Sequence, residues 1–247
     1  MNKHVNKIKF FLILILLVVG LTGCDGFIGR GTVRGSGNMI DGTFEHGDIT
    51  RVELHGLGAT LNISSENSAE MRYTVDDNLR EYINITYNNG VLRISTRNNR
   101  SINSGRELVF NISSDVLNYI VVDGAVNLQG QGVFTSPLFL LEVNGAADVN
   151  LQLETEELFA IINGAASVIL SGRTESLVIE AAGAVDVNAR NLLSQYASVS
   201  VDGVGSIYVY AAVTLRARVA GVGSIIYWGD AVVDASADGL ASITRGN

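Results

Sequence analysis

Seven near-copies of one short phrase fill the second half of the chain, and no other feature restricts the fold as much. They read Val122-Asp-Gly-Ala-Val-Asn-Leu, Val143-Asn-Gly-Ala-Ala-Asp-Val, Ile162-Asn-Gly-Ala-Ala-Ser-Val and Ala181-Ala-Gly-Ala-Val-Asp-Val. Val201-Asp-Gly-Val-Gly-Ser-Ile, Val219-Ala-Gly-Val-Gly-Ser-Ile and Ala237-Asp-Gly-Leu-Ala-Ser-Ile complete the series. Their central glycines, from Gly124 to Gly239, are spaced 21, 19, 19, 20, 18 and 18 residues apart. An earlier copy, Leu54-His-Gly-Leu-Gly-Ala-Thr-Leu, centres on Gly56. Self-similarity at this period means that units stack and bury one continuous core, because one unit cannot cover its own apolar face.

Inside each copy the apolar residues alternate. Leu141, Val143, Gly145, Ala147, Val149, Leu151 and Leu153 share one face, while Glu142, Asn144, Asp148, Asn150, Gln152 and Glu154 share the other. Period two is the signature of a half-buried strand. A propeller blade takes about 40 residues, so a period near 19 predicts instead one coil of a parallel β-helix per copy. The repeat glycines fall on the inward face, which predicts a coil too narrow there for a Cβ. Residues 69 to 115 break the rhythm. Met71 to Val75, Ile83 to Tyr87, Val91 to Ser95 and Leu108 to Ile112 read as strands, and Asn88-Asn89-Gly90 as a hairpin turn. This irregular part is expected to cap the solenoid or to form broader coils.

The first 23 residues have another purpose. Lys3, Lys7 and Lys9 precede an unbroken apolar run from Phe10 to Val19, then Gly20-Leu21-Thr22-Gly23-Cys24. A charged start, a short apolar stretch and small residues before a cut describe a secretory signal, and the run is too short to span a bilayer. Leu21 to Cys24 resembles the bacterial lipobox. That resemblance implies acylation of the Cys24 sulfur and cleavage before it, and several acyl chains anchor a protein stably to a membrane. Cys24 is the only cysteine, so no disulfide forms within the chain. The expected organisation is a lipoprotein signal peptide over 1–23, a Gly-rich tether over 24–38 and a β-solenoid domain over 39–247. The chain is expected to be exported and held on the periplasmic or cell-surface side of a bacterial membrane.

Beyond the leader, 14 basic residues face 25 acidic ones, a net charge of −11. That excludes nucleic acid as a partner, because phosphate binding needs clustered Lys and Arg. Catalytic patterns are missing as well. His46 and His55 lack metal-ligand spacing, no Gly-x-Ser-x-Gly elbow occurs, and Gly-Val-Gly-Ser has no lysine after it to make a phosphate loop. Outward polar rows run one place before the glycines (Asp123, Asn144, Asn163, Asp202, Asp238) and three places after (Asn127, Asp148, Ser167, Asp186, Ser206, Ser224, Ser242). Ala182 and Ala220 interrupt the first row and serines dilute the second. They therefore read as solvated ladders rather than Ca²⁺ ligands. No metal, cofactor or catalytic residue is expected.

Aromatic residues give the most specific candidate site. Tyr208 and Tyr210 lie five and seven places after Gly203, and Ile226 and Trp228 occupy the same places after Gly221. In register, Tyr210 falls beside Trp228 and Tyr208 beside Ile226. All four are predicted to point outward, with Arg190, Arg216 and Arg218 flanking them. An exposed Tyr and Trp patch marks a binding surface.

Several stretches resemble the family described as putative auto-transporter adhesin, head GIN domain. They are Arg34-Gly-Ser-Gly-Asn38, Val52 to Ile63, Val75-Asp-Asp-Asn-Leu79, Ile83 to Ser95, the copies from Gly124 onward, and Gly221-Val-Gly-Ser-Ile-Ile-Tyr-Trp-Gly229. Ala231 departs from the pattern, which has proline there. The resemblance implies a single-stranded right-handed parallel β-helix and an adhesive role, and it carries no catalytic residues. The leading expectation is a non-enzymatic, lipid-anchored envelope module binding a glycan or an envelope protein. A scaffolding lipoprotein without a specific ligand comes second, and a polysaccharide-acting enzyme last. Homo-oligomers are left open, because sheet edges can pair.

Overall fold

A computed structural model describes residues 31–247. The leader, Cys24 and the segment through residue 30 lie outside the described residues. From residue 32 to 247 the chain forms one compact unit. Twelve strands follow in order: β1 (Val33–Arg34), β2 (Met39–Glu45), β3 (Arg51–His55), β4 (Ala59–Ser64), β5 (Glu70–Asp76), β6 (Ile83–Asn88), β7 (Val91–Thr96), β8 (Ile102–Asn103), β9 (Val109–Ser113), β10 (Tyr119–Gln131), β11 (Phe134–Trp228) and β12 (Val232–Arg245).

The copies pair in parallel. Gly124 of β10 sits opposite Gly145 of β11, and Gly221 opposite Gly239 of β12, with the flanking residues in step. A straight strand as long as β11 would span roughly 300 Å at about 3.3 Å per residue. Instead the run folds back on itself, and each repeat glycine lies against the one before. A Cβ placed on Gly164 would stand 2.1 Å from the carbonyl oxygen of Gly145, and one on Gly183 2.3 Å from that of Gly164. Gly164 has φ +133°, a conformation that L side chains rarely adopt. The reason for glycine is therefore the carbonyl of the preceding copy and not a narrow interior, since Gly164 and Gly183 are themselves exposed.

Alternation behaves as its period requires. Leu141, Val143, Leu151 and Leu153 are buried, as are Val149, Leu177, Ile179, Val199, Ile207 and Val209, while Asp148, Asn150, Gln152 and Glu154 are exposed. Each buried aliphatic chain contributes about 1.5–3 kcal/mol relative to leaving it in water. This one face supplies most of the driving force.

The expected single-stranded right-handed parallel β-helix over 39–247 is overturned. The chain is all-β, but its main sheet is mixed, in the order β2-β5-β9-β4-β10-β3-β7-β6. The β2–β5, β5–β9 and β6–β7 ladders are antiparallel. A parallel β-helix has no place for such ladders. Their physical cause is local in one case: Asn89 (φ 48°) and Gly90 (φ 82°) make a two-residue turn, which can only join antiparallel strands. Alternation of period two identifies a strand without fixing the direction of its partner, and one architecture does not extend across residues 39–247.

Two of the family-like stretches meet in this mixed part. Residues 33–38 lie in the span read as a tether, and here they dock against Asp76-Asp77-Asn78. The Gly37 N–H donates to Asp76 Oδ1 at 2.7 Å, the Ser36 N–H to Asn78 Oδ1 at 2.9 Å, and Asn78 Nδ2 to the Arg34 carbonyl at 2.8 Å. Asp76 is fully buried and also accepts from the Ser104 hydroxyl. Three hydrogen bonds from Ser36, Asn38 and the Asn78 N–H hold the Asp77 carboxyl below its usual range.

Candidate functional site

The stacking of copies carries the aromatic residues to the C-terminal end of the array. Tyr208, Tyr210, Ile226 and Trp228 are all half-buried. They leave the strand on the face away from the core, because the residues between them, Val209 and Tyr227 among them, pack inward. Their pairing differs from the simple register. Trp228 stacks on Tyr208, with ring centroids 6.3 Å apart and an interplanar angle of 25°. The guanidinium of Arg190, two copies earlier, lies 4.2 Å from the centre of the Trp228 ring. Long side chains reach diagonal neighbours across a sheet, so register alone did not settle which rings would meet.

Trp228 is further fixed at its edge. Its Nε1–H donates to the Asn247 carbonyl at 3.2 Å, and Gly246 lies so close that a Cβ there would stand 2.2 Å from the ring. The sequence offered no sign that the last two residues fold over the indole. Arg216 and Arg218, expected to flank the patch, instead approach Asp234 at 3.5 and 3.7 Å. The outcome is a preordered layer of guanidinium, indole and phenol. Rigid rings of this kind make contacts at low cost in conformational entropy.

A second cluster lies on β3, β7 and β10. Glu53 is nearly buried and meets Arg51 at 2.7 Å, Arg93 at 2.5 Å and His55 at 3.4 Å. Burial pushes its carboxyl up, but the Arg93 and Arg51 guanidinium groups and His55 outweigh that and hold it below the usual carboxylate range. Arg51 also lies 3.9 Å over the Tyr119 ring. The Tyr119 hydroxyl donates to Glu142, which pushes that phenol up. Glu53 is thus committed to neighbouring cations, an arrangement for holding strands together rather than for taking a proton. Among the described residues, no three His, Cys, Asp or Glu side chains are grouped to hold a metal ion.

An open cavity of about 610 Å³ lies where residues 102–104 and 106–108 stand beside the outer face of the stacked copies. Its floor is Ala125, Ala146 and Ala165, its wall Asn127, Asp148 and Ser167, and Arg106 stands on the segment between β8 and β9. The sequence had marked the wall as a ladder but gave no sign that residues 102–104 and 106–108 border it.

A family model described as "Putative auto-transporter adhesin, head GIN domain" matches residues 49–231. The fold is shared with the crystal structure of a putative adhesin from Bacteroides fragilis, at 21% identity and TM-score 0.78, covering 86% of this chain and 99% of that one. It is shared too with a putative adhesin from Parabacteroides merdae, at 18% identity and TM-score 0.66, covering 87% and 99%. A third is a putative lipid binding protein from Parabacteroides distasonis, at 18% identity and TM-score 0.68, covering 88% and 100%. Identities this low establish a common fold and leave the ligand open. No curated protein matches the chain.

Proposed function

The chain belongs to the putative auto-transporter adhesin, head GIN domain family, and from that premise we propose a non-enzymatic binding module of the bacterial envelope, held to its membrane by lipid on Cys24. The observation that carries the binding role is the preordered stack of Arg190, Trp228 and Tyr208, with Tyr210 and Ile226 beside it. Such a surface offers ring edges, guanidinium N–H donors and apolar area together. That chemistry suits a glycan or a polar protein loop. The acidic charge disfavours nucleic acid and anionic lipid surfaces as partners.

One observation favours a scaffolding role instead. The Trp228 indole N–H and part of its ring surface are already engaged by the chain's own C-terminus. The test is a glycan array and an envelope-protein overlay with the full chain in nanodiscs, comparing wild type with Tyr208→Ala and Trp228→Ala. Binding lost in both variants supports recognition at this surface. Wild-type protein that is folded and binds nothing, or binding that both variants keep, rejects it.

A further inference from the structure

We propose that the cavity beside residues 102–108 is a separate site for a neutral oligosaccharide, lying along the stack. The cavity is open to solvent, and its 610 Å³ would hold about 20 water molecules at roughly 30 Å³ each. The floor position, one place after each repeat glycine, does not require a small side chain. Later copies place Val204, Val222 and Leu240 there, 56%, 49% and 82% exposed. The copies that border the cavity carry Ala125, Ala146 and Ala165, and the next copy carries Ala184. Small residues there keep the space open.

The wall repeats with the copies. Asn127 lies opposite Asp148, and Ser167 holds the same place in the next copy. Hydrogen-bonding groups thus recur every ~4.8 Å, the distance between neighbouring strands. A ligand that repeats on a similar length can meet one group per copy, as an extended sugar chain does. Two charged groups of the lining are uncommitted: among the described residues neither the Asp148 carboxylate of the wall nor the Arg106 guanidinium pairs with another side chain. A strongly anionic ligand would meet Asp148 and a strongly cationic one Arg106. Sugar hydroxyls satisfy both, since each donates and accepts. The alanine floor then takes the C–H face of the ring.

The test is saturation-transfer NMR on the full chain in nanodiscs. The probes are cellotetraose, chitotetraose and maltotetraose, with trialanine as a zwitterionic control. At least one tetrasaccharide is expected to bind. Ala146→Leu, which fills the floor from an exposed position, and Asp148→Ala should each weaken it at least tenfold, with unchanged circular dichroism. Trp228→Ala should bind as wild type, which separates this site from the aromatic surface. The proposal is overturned if no tetrasaccharide binds the folded protein, if binding survives Ala146→Leu, if Trp228→Ala abolishes it, or if trialanine alone binds.

Discussion

Replacing Gly164 by alanine adds one methyl group and should be among the most damaging single changes in the chain. The new Cβ would stand 2.1 Å from the Gly145 oxygen and 2.9 Å from its carbonyl carbon. Ordinary contact needs more than an ångström beyond that, and the φ of +133° is strained for any residue with a Cβ. Backbone strain of this kind costs about 1–3 kcal/mol. Parting two copies loosens one or two ladder hydrogen bonds at about 0.5–1.5 kcal/mol each. The sum is about 1.5–6 kcal/mol, against a total stability of about 5–15 kcal/mol. The control is Ala165→Val, next to it in sequence. That position is exposed and carries valine at Val204 and Val222, so the change should be neutral within about 0.5 kcal/mol. Urea unfolding followed by circular dichroism measures both. If Gly164→Ala unfolds within about 0.5 kcal/mol of wild type, stacking against the neighbouring carbonyl is not why glycine stands there.

Three further expectations rest on the same structure. Glu53→Gln should destabilise by about 1–3 kcal/mol at neutral pH, because two guanidinium groups lose their shared carboxylate. The folded Glu53 carboxyl is held low, so its contribution is present above the usual carboxylate range and fades as pH falls through the folded value. The gap between wild type and Glu53→Gln in urea midpoint should therefore shrink from pH 7 to pH 3, and a constant gap refutes the assignment. Asp76→Ala removes the acceptor of the Gly37 N–H and the Ser104 hydroxyl. Hydrogen exchange should accelerate at residues 35–38, and unchanged protection there would show that docking does not depend on Asp76. Trp228 is the sole tryptophan. Deleting Gly246 and Asn247 should shift its emission to longer wavelength, and an unmoved spectrum would mean that the C-terminus does not cover the indole.

The residues alone made the local and periodic features legible. Alternation of period two identified Leu141, Val143, Val149 and Leu151 as inward, because successive side chains of a strand must point to opposite sides. The repeat spacing placed Gly124 against Gly145 and Gly221 against Gly239. Asn88-Asn89-Gly90 declared its turn, since few residues other than glycine and asparagine accept positive φ. Beyond the β6–β7 hairpin, the direction of the β2, β5 and β9 pairings and the order of the sheet came from tertiary contacts. Strand direction depends on long-range connection, and β2, β5 and β9 carry no local mark of their partners. Tertiary structure also decided that Tyr208 rather than Tyr210 would stack on Trp228, that the Asn247 carbonyl would accept the indole hydrogen bond, and that residues 102–108 would stand beside a row of alanines. Each of these joins residues distant in sequence through side-chain reach and loop path, and neither quantity is written in the periodicity of a strand.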